Sequence, residues 1–223
     1  MDFLRREVFP LKDQHIVISK ATIDRLPLYF RTLRHAQEEG IEIISSEELG
    51  RKIGITPEQI RKDLSLFGEF GKKGVGYYVR DLLRNIGEIL GLHRNWNIAI
   101  VGVGHLGWAL ANYRNFSSLG FNLVAAFDVD SAKIGTRVNI APIYPMEKLE
   151  EIIRQDHIVI GIIAVPAQYA QEVAERLVAA GIRGIWNFAP IKLNVPEDIK
   201  LVNEDLSVGL SSISYFLSRQ LPE

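Results

Sequence analysis

The chain contains no cysteine. It can therefore form no disulfide bond, no thiol redox switch and no cysteine metal site, so any redox response must come through a bound ligand. No apolar run approaches the roughly 18 residues that a membrane span needs, and no signal peptide with a charged start and a small-residue cleavage site is found. We accordingly expect a cytoplasmic protein without a membrane partner.

Net charge is also small, at a formal −1, but charge is unevenly distributed along the 223 residues. Residues 51–80 carry seven basic and three acidic side chains. Such a cluster is most often a solvated face, and only its place in the fold can indicate more. The length allows one large domain or two ordinary ones, and 47% hydrophobic residues supply ample core.

A glycine-rich segment organises the second half of the chain. An apolar run at residues 98–101 leads directly into Gly102, Gly104 and Gly107, and a helical stretch begins near Leu106. In this G-x-G-x-x-G pattern the first glycine permits a tight turn, the second lets a pyrophosphate approach the backbone, and the third lets the helix pack on the strand. The alternative is that the glycines serve only a tight turn in a ligand-free sheet.

A second apolar run, residues 123–127, ends at Asp128, about 20 residues beyond the glycines, where the dinucleotide fingerprint places a carboxylate for the ribose hydroxyls. This carboxylate would repel a 2′-phosphate. The sequence therefore predicts NADH and NAD as ligands rather than their phosphorylated counterparts.

Helices and strands continue to alternate after this segment, which predicts an α/β fold with a doubly wound parallel sheet. The predicted elements are a helix at 146–154, a strand at 158–165, a helix at 167–180 and strands at 184–188 and 199–202.

The first half has a different pattern. An amphipathic helix spans about 19–40, with Pro27 indicating a kink or a start, and a short strand follows at 41–44. Ser45 with Glu48, and Thr56 with Gln59, are spaced as capping boxes, and they predict two short helices separated by a turn. Two such helices form a helix-turn-helix.

The second of these helices is apolar on one side and leaves Arg61, Lys62 and Ser65 on another, as a helix entering the major groove requires. A glycine-flanked hairpin then carries Lys72 and Lys73 before Tyr77, which is typical of the wing of a winged helix. We expect nucleic-acid binding. A winged helix that binds protein is the alternative.

These patterns predict four segments. Residues 1–80 form the winged-helix domain, with 1–15 as an extension of unknown order, and 81–96 form a connecting helix and linker. Residues 97–205 form the dinucleotide-binding domain. The helix at 206–217, within a terminal segment 206–223, has more apolar residues than docking on one sheet needs, which indicates a dimer contact. Docking within its own chain is the alternative.

Taken together, the motifs resemble the Rex family of redox-sensing transcriptional repressors, from about residue 19 to residue 217. The matching segments are ATIDRLPLYFRTL (21–33), QIRKDLSLFGEFGKKGVGY (59–77), GVGHLG (102–107) with FDVD (127–130), VPAQYAQEVAERLVAAGI (165–182), NFAP (187–190) and DLSVGLSSISYFL (205–217). The resemblance implies a homodimer with exchanged C-terminal helices that leaves operator DNA when NADH binds, whereas NAD competes for the same site and leaves DNA binding possible.

The resemblance also implies roles for individual residues. Pyrophosphate would be bound by Gly102, Val103, Gly104, His105, Leu106 and Gly107, and the adenosine ribose by Asp128. The nicotinamide end would be lined by Val165, Pro166, Asn187, Phe188 and Ala189. DNA would be contacted by Arg61, Lys62, Lys72 and Lys73, while Ser65 and Tyr77 lie on the same predicted surface. A conformation-dependent contact would join Arg31, Tyr113 and Asp205.

Two features depart from the family pattern: the extra run before Ser19, and His105, which stands where a neutral Asn is common. A protonated His105 would add pH dependence to phosphate binding, whereas a plain loop histidine would not. As for the cofactor preference, an apolar pocket should favour the uncharged reduced ring, although an aromatic face could instead attract the oxidised cation.

Two other functions fit a doubly wound sheet. A dehydrogenase would need a proton-transferring group near the nicotinamide, but none of the five histidines follows a late strand, and Lys192 is the nearest candidate. A CoA-binding domain uses a comparable glycine turn.

Overall fold

The computed structural model describes residues 6–8, 17–72 and 74–219. The chain divides into two compact units, residues 1–94 and 95–223. Each unit has its own hydrophobic core.

The N-terminal unit is a small helical domain with two short two-stranded sheets. Its elements are β1 (Arg6–Val8), β2 (Val17–Ser19), α1 (Lys20–Glu38), β3 (Ile43–Ile44), α2 (Ser46–Ile53), α3 (Pro57–Ser65), β4 (Tyr77–Tyr78) and α4 (Val79–Ile89). β1 pairs antiparallel with β2, so part of the N-terminal extension is a strand, and the rest of residues 1–15 lies outside the described residues. β3 pairs antiparallel with β4, which closes the winged helix.

Local capping sets the ends of the helix-turn-helix. Ser45 and Glu48 form the predicted reciprocal box, and Gly54 ends α2 at φ 72°, a conformation that glycine adopts without strain. Thr56 caps α3 by accepting from the Gln59 backbone N–H at 3.3 Å. The second box is incomplete, because the Gln59 side chain donates to Asp63 at 2.8 Å instead.

Two sequence expectations change in this unit. α1 runs without interruption through Pro27, so the helix does not begin there. The helix predicted as a connector is α4, and Leu82 and Ile86 of α4 are fully buried in the core of the N-terminal unit. α4 lies so close to α1 that a Cβ at Gly87 would be 3.1 Å from the Phe30 ring. The N-terminal domain therefore extends well past residue 80.

The C-terminal unit contains a seven-stranded sheet in the order β11-β10-β9-β5-β6-β8-β7. Its strands are β5 (Trp96–Val101), β6 (Phe121–Asp128), β7 (Arg137–Val138), β8 (Ala141–Pro145), β9 (Ile160–Ile163), β10 (Gly184–Asn187) and β11 (Lys200–Asn203). All pairings are parallel except that of β7 with β8. The sheet thus has one antiparallel edge strand, and both β7 and β8 were absent from the sequence prediction.

The helices of this unit are α5 (His105–Ala111), α6 (Asn115–Ser118), α7 (Leu149–Gln155), α8 (Ala167–Ala180) and α9 (Ser207–Leu217), with a 3₁₀ turn at Met146–Lys148. Both faces of the sheet are buried, because Ala99 and Val101 pack in one core cluster while Ile98 and Ile100 pack in another. The strand order reverses at β5, where the chain crosses to β6 on one side and to β9 on the other. Ligands bind at such a switch point in doubly wound sheets.

The terminal helix α9 is not packed into either core. All of its residues are exposed, and Leu210 and Phe216 remain 72% and 63% accessible. The alternative in which α9 buries its apolar side chains on its own sheet is therefore not what the structure shows. An apolar helix face of this size is typical of an interaction surface.

Candidate cofactor and nucleic-acid sites

The three glycines of the loop after β5 differ in what surrounds them. Gly102 has φ 92°, and a Cβ there would lie 2.6 Å from the Ala164 carbonyl oxygen. A Cβ at Gly107 would lie 1.8 Å from the Gly102 carbonyl oxygen, so helix α5 can pack only with glycine there. A Cβ at Gly104 would meet nothing within 4 Å. The fold therefore requires the first and third glycines, whereas the second leaves open space that a ligand backbone can approach.

The loop precedes α5, which begins at His105, one residue earlier than expected. Gly104 is the N-cap and supplies no side chain to the first-turn N–H groups. His105 is exposed, Leu106 is half-buried and Val103 is buried. Because no capping side chain accepts from the first-turn N–H groups of α5, these groups favour binding of an anion at the loop.

Asp128 lies at the carboxyl end of β6, next to the loop, and its side chain is only 9% exposed. Oδ2 accepts from the Val103 backbone N–H at 2.8 Å and from Lys133 Nζ at 3.2 Å, and Oδ1 accepts from the Asp130 backbone N–H at 2.9 Å. Burial raises the pKa of Asp128, but these hydrogen bonds outweigh burial and hold the pKa below its ordinary value. The carboxylate stays ionised, and Oδ1 keeps a lone pair for a ribose hydroxyl.

The carboxyl ends of β5, β9 and β10 lie side by side. The Ala164 N–H donates to the Val101 carbonyl at 2.9 Å, and the Phe188 N–H donates to the Ile163 carbonyl at 2.9 Å. Consequently the residues predicted to line the nicotinamide end follow adjacent strands. Val165 is half-buried beside Gly102, Pro166 is exposed at the start of α8, Phe188 is half-buried and Ala189 is buried.

Asn187 has a different role from the predicted one. Its side chain is fully buried, and Nδ2 lies within hydrogen-bond distance of the Ala189 and Ile191 carbonyls and of Asn203 Oδ1. Its Oδ1 accepts from the Ala189 N–H at 3.0 Å. With its donors and acceptor engaged inside the protein, Asn187 holds the turn that carries Phe188 and does not present a polar atom to a ligand.

The predicted nucleic-acid surface lies between α3 and the wing, on either side of a groove of about 650 Å³. The groove is lined in part by Arg61, Ser65, Lys72, Gly76 and Tyr77. Lys62 is exposed on α3, and burial raises the pKa of Tyr77. Lys72 pairs with Gly76 across the turn, and Lys73 lies outside the described residues.

Arg61 is already engaged by acidic neighbours. Its guanidinium donates to Ser46 Oγ at 2.6 Å, to Glu58 at 2.9 Å and to Glu47 at 3.2 Å. The side chains of Arg61, Glu47 and Glu58 are each about half exposed or more, so DNA phosphates can compete with the two carboxylates for Arg61.

A buried carboxylate that sequence reasoning missed fixes α3 on α1. Asp63, whose side chain is 1% exposed, accepts from Arg25 Nε at 2.6 Å, from the Tyr29 hydroxyl at 2.6 Å and from Gln59 at 2.8 Å. Burial raises the pKa of Asp63, but these hydrogen bonds lower it below its ordinary value. The available signal was an aspartate between Ile60 and Leu64 on the apolar stripe of α3, where an ionised group needs a partner.

The three residues of the predicted conformation-dependent contact are all exposed. Arg31 lies on α1 in the N-terminal unit. Tyr113 lies just after α5 rather than within it, and the Asp205 carboxylate accepts from the Ser207 N–H at 2.8 Å and from its hydroxyl at 2.6 Å. Their mutual contact stays a prediction.

Among the described residues, no helix is long and apolar enough to cross a membrane. The same part of the chain contains no group of three or more His, Cys, Asp or Glu side chains that could hold a metal ion.

Comparisons with known proteins cover both units. Residues 17–65 match a family model described as a putative DNA-binding protein N-terminus, and residues 93–191 match a CoA binding domain. The redox-sensing transcriptional repressor Rex of Carboxydothermus hydrogenoformans is 48% identical over 91% of this chain and 97% of its own length. That of Chloroflexus aurantiacus is 50% identical over 89% and 93%.

Solved structures show the same similarity. A crystal structure of RSP, in complex with beta-NADH, has a TM-score of 0.85 and 42% identity over 92% of this chain and 96% of RSP. A second, in complex with beta-NAD+ and operator DNA, has a TM-score of 0.87 and 43% identity over 92% of this chain and 94% of RSP. A third is described as RSP, a Rex-family repressor.

Proposed function

Because this chain belongs to the Rex family of redox-sensing transcriptional repressors, we propose that it binds operator DNA as a homodimer and leaves the DNA when NADH binds. The observation that carries the proposal is the open space at Gly104 beside the ionised Asp128, on the same chain as a helix-turn-helix whose second helix exposes Arg61 and Lys62. The crystal structures of RSP with NADH, and with NAD+ and operator DNA, support it. A repressor of this kind is a regulator, not an enzyme.

The cofactor lies across the switch point of the sheet. Gly102 to Gly107 face the pyrophosphate, Asp128 accepts from the adenosine ribose, and Val165, Pro166, Phe188 and Ala189 surround the nicotinamide. These nicotinamide neighbours are apolar, so the neutral reduced ring loses less hydration free energy on binding than the oxidised cation does. This difference gives NADH the tighter binding.

The dimer is formed through α9, whose apolar side chains are covered by the partner subunit. Two symmetry-related α3 helices fit successive major grooves only at about 34 to 36 Å. A modest change in dimer shape is therefore enough to prevent operator binding, and NADH favours the altered shape by its differential affinity for the two shapes. Such a protein acts in the cytoplasm.

The deciding experiment is an operator gel shift titrated with NADH, NAD, NADPH and CoA. We expect release by NADH alone, with NAD competing for the site and the 2′-phosphate of NADPH repelled by Asp128. Operator binding that is equal with NADH and NAD would remove the redox-sensing function. Release by CoA instead would favour the CoA-binding alternative that the matching domain model suggests.

The assignment of Asp128 can be tested in the same assay. Asp128→Ala should bind operator as the native protein does but require a much higher NADH concentration for release. Asp198→Ala, an exposed carboxylate before β11 at the opposite end of the sheet, is the matched control. Release of the Asp128→Ala variant at unchanged NADH levels would contradict the assignment.

A further inference from the structure

Trp186 on β10 lies at the centre of a row of four aromatic rings. Its ring centroid is 4.6 Å from that of Phe188 on one side and 6.0 Å from that of Phe116 on the other. The Phe116 ring in turn packs edge-on against Tyr113 at 5.0 Å. The row therefore extends from Phe188, which is proposed to line the nicotinamide, to Tyr113, which belongs to the predicted conformation-dependent contact.

The indole of Trp186 also reaches the segment before α9. Its Nε1 donates to Glu204 Oε1 at 3.4 Å, and the Glu204 backbone N–H donates to the Asn187 carbonyl at 2.8 Å. Asp205, the next residue, uses its carboxylate to hold the first residue of α9. Trp186 thus contacts neighbours of both Tyr113 and Asp205, although these two lie more than 90 residues apart in the chain.

Phe116, Trp186 and Phe188 are partly buried and pack against the core, whereas Tyr113 at the end of the row is exposed. A displaced ring within the packed part of the row moves its neighbours, because close packing leaves little free volume there. Coupling between two sites is carried by an element whose arrangement both sites bias. The Trp186 indole contacts Phe188, Phe116 and Glu204, so a rotation of the indole would change all three contacts together.

We propose that Trp186 is a positioning residue that couples nicotinamide binding to the positions of Tyr113 and Asp205, an inference that rests on the proposed function. A reduced ring that packs against Phe188 fixes the Trp186 indole in one orientation. That orientation places Tyr113 and the 204–205 segment for the dimer shape that cannot bind operator. Trp186 itself need not contact the cofactor.

The test separates binding from coupling. For the native chain and for Trp186→Leu, the NADH dissociation constant is measured by titration calorimetry, and the operator dissociation constant is measured with and without saturating NADH. In Trp186→Leu, we expect the NADH dissociation constant and the operator dissociation constant without NADH to stay within about threefold of the native values. The factor by which NADH weakens operator binding should fall at least tenfold. A role confined to core packing would lower thermal stability without selectively changing that factor.

Two further variants keep the test decisive if Trp186→Leu folds poorly. Trp186→Phe keeps an aromatic ring but removes the indole N–H. Glu204→Gln leaves all four rings in place and keeps the shape of the side chain at position 204, but it weakens the hydrogen bond from the indole. Each should lower the coupling factor at least threefold. Trp96→Leu, at the amino end of β5 and half-buried like Trp186, is the matched control and should leave the factor unchanged.

A spectroscopic measurement gives an independent result. In protein labelled with 5-fluorotryptophan, the ¹⁹F resonance that disappears in Trp186→Phe should shift when NADH is added. An unchanged coupling factor in all folded Trp186 variants, or an unmoved resonance, would overturn the inference while leaving the proposed function intact. A native protein that NADH does not release from operator would overturn both.

Discussion

Replacing Asp63 with alanine tests whether a buried ion pair holds α3 on α1. The carboxylate is 1% exposed and accepts hydrogen bonds from Arg25, Tyr29 and Gln59. Its removal leaves the Arg25 guanidinium, whose side chain is 24% exposed, without its counter-charge. It also leaves the Tyr29 hydroxyl, on a fully buried side chain, without its acceptor.

Breaking a buried pair by deleting one partner typically costs about 3–5 kcal/mol. Because Arg25 can still reach water, the lower end applies, and we expect the free energy of unfolding of the N-terminal unit to fall by about 3 kcal/mol. At about 1.4 kcal/mol per factor of ten, this is roughly a 150-fold change in the unfolding equilibrium. Asp24→Ala removes an exposed pair with Lys20 and should cost at most about 1 kcal/mol.

The three tryptophans, at positions 96, 108 and 186, all lie in the C-terminal unit, so their fluorescence does not report on Asp63. The appropriate measurement is amide hydrogen exchange of α1 and α3 in the full chain under native conditions. Faster exchange in both helices is expected for Asp63→Ala and not for Asp24→Ala. Equal exchange in the two variants would refute the reasoning.

The same pair predicts a dependence on pH. The pKa of Asp63 is lower in the folded protein than in the unfolded chain, so ionisation favours the folded state. The stabilisation is present above the unfolded value of about 3.9 and is lost as pH falls through the lower folded value. The free energy of unfolding should therefore fall less steeply with decreasing pH in Asp63→Ala than in the native protein. An equally steep fall in the native protein and in Asp63→Ala would contradict the lowered pKa of Asp63.

Three other predictions concern the proposed function. Gly107→Ala should lower the melting temperature of the C-terminal unit, because the new methyl would overlap the Gly102 carbonyl. Gly104→Ala should leave the melting temperature unchanged but weaken NADH binding. Similar effects of the two variants on the melting temperature would contradict this distinction between the glycines. Glu58→Gln should tighten operator binding about two- to fivefold by releasing Arg61, and equal affinity would refute the competition. Phe216→Glu should convert the dimer to a monomer in light scattering, and a persistent dimer would exclude α9 as the interface.

Sequence alone determined the features that depend on neighbouring residues. The Ser45 box, the left-handed Gly54 and the order of strands and helices around the glycines all follow from short-range patterns, and the structure contains them. Where an element of the C-terminal unit was predicted, its bounds differ by at most three residues, the largest difference being the start of α7, which a 3₁₀ turn precedes. The local backbone is set by caps, glycines and apolar period, which is why these predictions hold.

Only the tertiary structure decided which side chains meet. Asp63 and Arg25 are 38 residues apart, and the Asn187 side chain is engaged by the turn after β10 rather than directed to a ligand. The short edge pair β7 and β8 has too weak a pattern to be recognised without its neighbours. The row of rings through Trp186 joins residues from two distant segments. Such contacts depend on packing between elements, and the spacing of residues along one element carries no information about it.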